Sequence, residues 1–334
     1  MSRRARHRQY GLRVANDYQP FYRHNFSFQP MLQPALHHLV CPDSQGSHRL
    51  AWWEWGAPDA AHVVVCVHGL SRQGRDFDVL AKALVNRAPH GVRVVCPDMP
   101  GRGESGWLAD PMDYQLPLYA ADVQALLAHL QLQQPIGTLD WVGTSMGGLI
   151  GMLVCGQSQA AAPAPVRRLV LNDIGPAIEW AAIERIGSYL GRAGHFDNLD
   201  QAADALLAIS AGFGPHSSAE WLALSRPMFK AVTSNSASRL RLHYDPAIAV
   251  PFKQATQAST AQGEAGLWQL YDRIEARTLV LRGRDSDLLS VATAQAMTAR
   301  GPRARLVEFA DVGHAPTLVV SAQVDCVSNF MLGP

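Results

Sequence analysis

Short apolar runs alternate with helix-length amphipathic stretches along most of this chain, and that alternation leaves few folds open. His62–Val67 is a continuous, β-branched run of the kind found in strands buried on both faces. Residues 76–87 follow as an amphipathic helix, with Phe77, Leu80, Leu84 and Val85 on one stripe. Strand patterns at 50–55, 92–96, 139–143 and 168–172 are interleaved with helix patterns at 117–130 and 146–155. Repeated β-α-β units with short apolar strands give a mostly parallel sheet with helices on both faces, an α/β architecture.

The alternation breaks after 172. Residues 176–272 read almost entirely helical, with helices expected at 178–190, 199–210 and 219–231. It then resumes with strands at 278–281 and 305–309 and helices at 292–299 and 317–331. In open α/β sheets the site lies beyond the carboxyl ends of the strands, so the helical block is expected to be an insertion covering that end, a lid. The resulting division is an N-terminal extension at 1–45, a core at 46–175 and 273–334, and a helical lid at 176–272. Residues 18–45 show no period of 2 or 3.6 and are read as irregular chain, and an Ala/Pro linker is read at 160–165.

Composition narrows the class further. The 334 residues are 48% hydrophobic and 17% charged, which argues against a disordered or coiled-coil chain. Arg3, Arg4, Arg6, Arg8 and Arg13 lie in an acid-free opening stretch; without them 24 basic residues face 28 acidic ones. That stretch lacks the apolar segment of a secretory signal and is read as a solvated tail. No basic stripe supports nucleic-acid binding, and no apolar run reaches the ~18 residues that span a bilayer. Five cysteines, none in a C-x-x-C spacing, argue against disulfides and a metal site and for a cytoplasmic setting. Cys66, Cys96 and Cys155 fall in apolar segments as small buried hydrophobes.

Gly143-Thr144-Ser145-Met146-Gly147-Gly148 follows an apolar strand and opens a helix. Small residues two before and two after the serine permit a sharp strand-to-helix turn that lifts the hydroxyl above the sheet edge. The helix N-terminus behind it supplies N–H groups and positive potential for an oxyanion. An activated serine needs a base, and the base an orienting carboxylate. Gly313-His314 lies on the loop after the last strand and is the candidate base; the carboxylate is sought after strand 278–281, where Asp285 and Asp287 compete. The backbone N–H groups of Leu70, after His68-Gly69, and of Met146 are the candidate oxyanion donors. His68 itself is read as a structural residue under that loop, and Asp98 to Ser105 as a structural loop beside the site.

His68-Gly69, Asp98 to Ser105, Gly143 to Gly148, and Asp285/Asp287 with Gly313-His314 together resemble the α/β-hydrolase-fold serine hydrolases, from about Arg49 to the C-terminus. The resemblance implies an eight-stranded, mostly parallel sheet, no cofactor, and an acyl-enzyme on Ser145. It also favours Asp287 over Asp285, because the run from Gly283 to Ser290 resembles members whose acid is the second aspartate. Asp173 is a third candidate, since some relatives carry the acid after the preceding strand. A proline four residues after the acid, often present in such relatives, is missing here. The expected activity is hydrolysis of a carboxylic ester of a small or medium apolar substrate. Carbon–carbon bond hydrolysis of ring-cleavage products, lactone or thioester cleavage, and non-catalytic ligand sensing are the alternatives, and a homo-oligomer is left open. Arg72, Arg75 and Arg102 are read as loop braces, the aromatic residues of the lid mostly as its own core, and His243 to Pro246 as a structural hinge.

Overall fold

The computed structural model of the protein describes residues 33–157, 164–192, 194–234 and 237–333. The arginine-rich opening stretch and residues 160–163 of the Ala/Pro linker lie outside the described residues. In chain order the elements are β1 (Ala35–Asp43), β2 (Gly46–Gly56), β3 (His62–Val67), α1 (Asp78–Arg87), β4 (Arg93–Asp98), α2 (Leu116–Gln133), β5 (Thr138–Thr144), α3 (Met146–Gly156) and β6 (Val166–Asn172). Next come α4 (Trp180–Tyr189), β7 (His195–Phe196), α5 (Leu199–Ile209), α6 (Ser218–Ser225), β8 (Phe229–Ser234), β9 (Ala237–Leu242), α7 (Ala249–Gln254) and α8 (Gln257–Tyr271). The chain closes with β10 (Arg277–Gly283), α9 (Val291–Ala299), β11 (Arg305–Phe309) and α10 (Ser321–Leu332).

Eight strands form one sheet in the order β1-β2-β4-β3-β5-β6-β10-β11. β1 and β2, and β2 and β4, are antiparallel, and every later pairing is parallel. The period of two along a strand divides the core between the two faces. In β3, Val63, Val65 and Val67 join a cluster with Leu126 of α2 and Ile150 of α3. Val64 and Cys66 point the other way, to Leu84 of α1 and Val327 of α10. Being apolar on both faces is why β3 reads as an unbroken hydrophobic run rather than an alternating one.

Two expectations need correction. Residues 35–43 are not irregular: they form β1, paired along its whole length with β2. β1 is an edge strand whose side chains are mostly exposed, so backbone hydrogen bonds rather than an apolar stripe hold it, and its sequence carries no period. The expected helix at 219–231 ends at Ser225, and β8 begins at Phe229. Pro227 cannot donate within a continuing helix, and a β-branched pair, Val232-Thr233, follows. β8, β9 and β7 make a small antiparallel sheet in the order β7-β9-β8 within the stretch read as all helical.

Residues 176–272 pack in two ways. Ala203, Leu206, Trp221, Leu224 and Met228 make a cluster of their own, whereas Ala182, Tyr244, Ile248 and Ala249 join the core of the large sheet. His243 to Pro246 ties the segment to the loop after β4. Asp245 N–H donates to Gly101 O at 2.7 Å, Gly103 N–H to His243 O at 3.1 Å, and Tyr114 O–H to Asp245 Oδ2 at 2.6 Å. No described helix is long and apolar enough to cross a membrane.

His68 locks the ends of β3 and β4 together. Its Nδ1 lies 2.7 Å from Gly69 O, an acceptor only, so the ring proton sits there, and the bare Nε2 accepts from Met99 N–H at 2.9 Å. Complete burial, helped by the Arg102 and Arg72 cations, pushes its pKa down to about 3. The unfolded chain takes up this proton near 6.5 and the folded one refuses it until about 3. The contribution is therefore whole above 6.5 and is lost as pH falls through that window, by about 1.4 kcal/mol per unit. Urea unfolding at pH 6.5 and pH 5 should show the wild type losing about 2 kcal/mol more than His68→Gln does; equal losses would mean that His68 is not buried neutral.

Candidate active site

Ser145 occupies a turn between β5 and α3 with φ 51° and ψ −117°, a conformation that non-glycine residues seldom adopt. Close approach of backbones explains the flanking glycines. A Cβ on Gly143 would stand 2.3 Å from Gly147 O, and one on Gly147 would stand 2.0 Å from Val67 O. Ser145 N–H donates to Asn172 O at 3.0 Å, so the elbow is pinned to the end of β6. Asn172 Nδ2 donates to Thr144 Oγ1 at 3.0 Å and to Pro316 O at 2.8 Å, which ties the same point to the loop carrying His314.

The structure brings Ser145 and His314 together: His314 Nε2 lies 2.9 Å from Ser145 Oγ. It does not bring Asp287 to them. Asp287 accepts from Arg185, with Nε 2.5 Å and Nη2 2.9 Å from its two oxygens, and is half-exposed. Asp285 is exposed, its backbone N–H bonded to Val312 O at 2.9 Å. The carboxylate on His314 is Asp173, whose Oδ2 lies 2.8 Å from Nδ1. The expectation for Asp287 is corrected accordingly. The loop after β10 turns its aspartates outward and sends donors inward, Gly283 N–H to Asp173 Oδ1 at 2.8 Å and Ser286 O–H to Oδ2 at 2.5 Å. Asp173 is fully buried and has φ 54°, a left-handed conformation that Asp tolerates better than most residues. Its signal in the sequence is an Asn172-Asp173 pair directly after the apolar run Leu169, Val170 and Leu171 of β6.

Leu70 and Met146, the two candidate oxyanion donors, line the same cavity as Ser145. Arg102 is fully buried and supports the Leu70 side: Nε donates to Leu70 O at 2.8 Å, and Nη1 to Pro100 O at 2.6 Å and Tyr119 Oη at 2.8 Å. Asp98 closes the loop after β4, accepting from Gly74 N–H at 2.7 Å and Glu104 N–H at 2.9 Å. Burial outweighs those donors and pushes its carboxyl up to about 7. Arg75 pairs with Asp78 and Arg72 with Asp76, so all three arginines brace their loops as expected.

Segment 176–272 supplies much of the cavity wall over Ser145, including Arg185, Tyr189, Leu206, Phe213 and Leu224. Trp221, Met228 and Phe229 instead belong to the core of that segment. Gly313 N–H donates to Gly212 O at 2.7 Å, so the His314 loop leans on the same segment. Away from the cavity, Cys41, His48 and Asp122 bring metal-ligating atoms within 4.8 Å of one another. Both ring nitrogens of His48 are already engaged there, by Asp43 at 3.2 Å and Asp122 at 3.0 Å, and the group closes on itself as a hydrogen-bond network.

The sequence model of the alpha/beta hydrolase fold family matches residues 62–319. A 3-hydroxybutyrate-oligomer hydrolase of Cupriavidus necator is 45% identical over 300 residues, which cover 90% of this chain and 98% of that one. An alpha/beta hydrolase structure from Novosphingobium aromaticivorans superposes with a TM-score of 0.75 at 34% identity, over 90% of this chain and 99% of that chain. A Rickettsia typhi structure also reaches 0.75, at 27% identity, over 89% and 98%. The chain is a hydrolase and belongs to the alpha/beta hydrolase fold family.

Proposed function

We propose that the protein is a serine esterase that cleaves a carboxylic ester through an acyl-enzyme on Ser145. The observation that carries this reading is the unbroken line of contacts from Asp173 Oδ2 to His314 Nδ1 at 2.8 Å and from His314 Nε2 to Ser145 Oγ at 2.9 Å. A carboxylate on Nδ1 keeps the imidazole proton on that side and leaves Nε2 bare to accept from the serine. As Oγ attacks the ester carbonyl, His314 takes its proton and Asp173 stabilises the imidazolium. The carbonyl oxygen turns to the backbone N–H groups of Leu70 and Met146, each worth roughly 3 kcal/mol in the transition state. His314 then gives the proton to the leaving alcohol, and water enters by the same steps to free the acid. In this reading residues 176–272 act as a lid whose side chains set the substrate.

Two observations support a short oligoester of a hydroxy acid as that substrate. The Cupriavidus necator relative is named for hydrolysis of 3-hydroxybutyrate oligomers. The larger cavity beside Ser145, about 530 Å³, has an apolar wall that includes Ile174, Ile178, Ile186 and Phe252, suited to a chain of short alkyl ester units.

Treatment with a fluorophosphonate, followed by peptide mapping and a p-nitrophenyl butyrate assay, tests the reading. One adduct should appear, on the peptide holding Ser145. Ser145→Ala should take no label and lose on the order of 10⁴-fold or more in kcat. Folded wild-type protein that takes no label at Ser145 would overturn the proposal.

A further inference from the structure

Ser145 stands where two unlike cavities meet. The larger is lined by Leu70, Ser145, Met146 and the apolar wall described above. The smaller, about 90 Å³, is lined by Ser145 and His314 and carries Arg72 with its partner Asp76, Arg185, Ser210 and Thr317. His314 lines the smaller cavity and not the larger. A general acid must stand within hydrogen-bond reach of the oxygen it protonates. The leaving alcohol therefore belongs in the small cavity and the acyl chain in the large one. On the same measure the small cavity has about 90 Å³ against about 530 Å³ in the large one, so the leaving alcohol is the shorter part of the ester.

Arg72 gives the small cavity its chemistry. Its side chain is 8% exposed. Nε and Nη2 donate to Asp76 at 2.6 and 2.7 Å, and Nη2 also reaches Leu224 O at 3.3 Å. The Phe213 ring lies 5.5 Å from Cζ. Nη1, by contrast, is buried and has no hydrogen-bond partner among the described residues. Bracing alone accounts for the edge of the guanidinium that Asp76 holds and leaves the Nη1 donors unexplained; buried donors are seldom left unmade, because each costs about 1–3 kcal/mol. Arg72 and Ser145 both pack around Gly69: a Cβ there would lie 3.7 Å from Arg72 Cγ and 3.7 Å from Ser145 Cβ.

We infer that the Arg72 guanidinium receives a free carboxylate on the leaving alcohol, so that the enzyme removes a short hydroxy acid from the carboxylate end of an oligoester. This rests on the serine-esterase reading above. In a 3-hydroxyacyl unit two carbons separate the ester oxygen from the carboxyl carbon, short enough for a cavity shared by His314 and Arg72. The bond from Ser145 Oγ to the acyl carbon forms and the bond from that carbon to the alcohol oxygen breaks. The serine proton passes through His314 to the alcohol oxygen, and the hydroxy acid leaves with its carboxylate unchanged. Water then splits the acyl-enzyme and returns the serine proton. The product is an oligomer one unit shorter, whose new terminal carboxylate fits it for the next round.

The test compares the 3-hydroxybutyrate dimer as free acid and as its carboxyl-terminal methyl ester, in wild type, Arg72→Gln and Arg72→Lys, with p-nitrophenyl butyrate beside them. Wild type should favour the free acid in kcat/KM by about tenfold or more, the size of one charge-assisted hydrogen bond. Arg72→Gln should narrow that ratio below about threefold, with Arg72→Lys between the two. A trimer labelled at its hydroxyl end should give labelled dimer and unlabelled monomer. Wild type that takes acid and methyl ester equally well, or a ratio that Arg72→Gln leaves intact, would overturn the inference. Should Arg72→Gln fail to fold, the wild-type ratio and the position of the label still decide. Hydrolysis of p-nitrophenyl butyrate without preference for the free acid would sink this inference and spare the esterase reading. No hydrolysis of any of these esters would sink both.

Discussion

The buried carboxylate of Asp173 joins three segments that are distant in sequence. It follows β6, accepts from Gly283 N–H at 2.8 Å and Ser286 O–H at 2.5 Å on the loop after β10, and meets His314 Nδ1 at 2.8 Å on the loop after β11. An anion buried this deeply needs donors on every side, and here the same donors set its angle toward the imidazole. Asn172 beside it reaches Thr144 and Pro316, so the loops carrying Ser145 and His314 are fixed to one strand end. The positions of Ser145 and His314 follow from how β5, β6, β10 and β11 lie side by side, not from any local rigidity of their loops.

That arrangement depends in turn on the sheet. Parallel strands with both faces covered bring their carboxyl ends to one edge, where the loops after β3, β5, β6 and β11 converge. Each loop is then held by buried polar groups: His68 and Arg102 under the Leu70 loop, Asp98 under the loop after β4, and Asn172 under the elbow. The segment 176–272 completes the enclosure while resting on the core through Asp245 and Tyr114.

Much of this is legible in the sequence, and the reasons are physical. β3 to β6 and β10 are buried on both faces, so their apolar runs announce them. Ser145 is announced by the glycines that its turn cannot do without, and His314 by its place after the last strand. The carboxylate is harder to find because a single hydrogen bond selects it. Asp173 and Asp287 both follow strands, and only the three-dimensional path of the β10 loop turns Asp287 out to Arg185 and Ser286 in to Asp173. β1 leaves no pattern because an exposed edge strand needs none. The antiparallel pair β8 and β9 is hidden within a stretch of helix-like composition. Arg72 Nη1, without a partner among the described residues, is likewise invisible to sequence, since it shows only when the partners of the rest of the guanidinium are known.

Under the proposed function, Asp173 holds His314 in the tautomer that activates Ser145. The kcat for p-nitrophenyl butyrate in Asp173→Asn and Asp287→Asn, with folding checked by circular dichroism, tests it most directly. The first substitution should cost on the order of 10³-fold or more, through loss of the correct tautomer, and the second less than about tenfold. Loss of activity in Asp287→Asn with Asp173→Asn still active would contradict it.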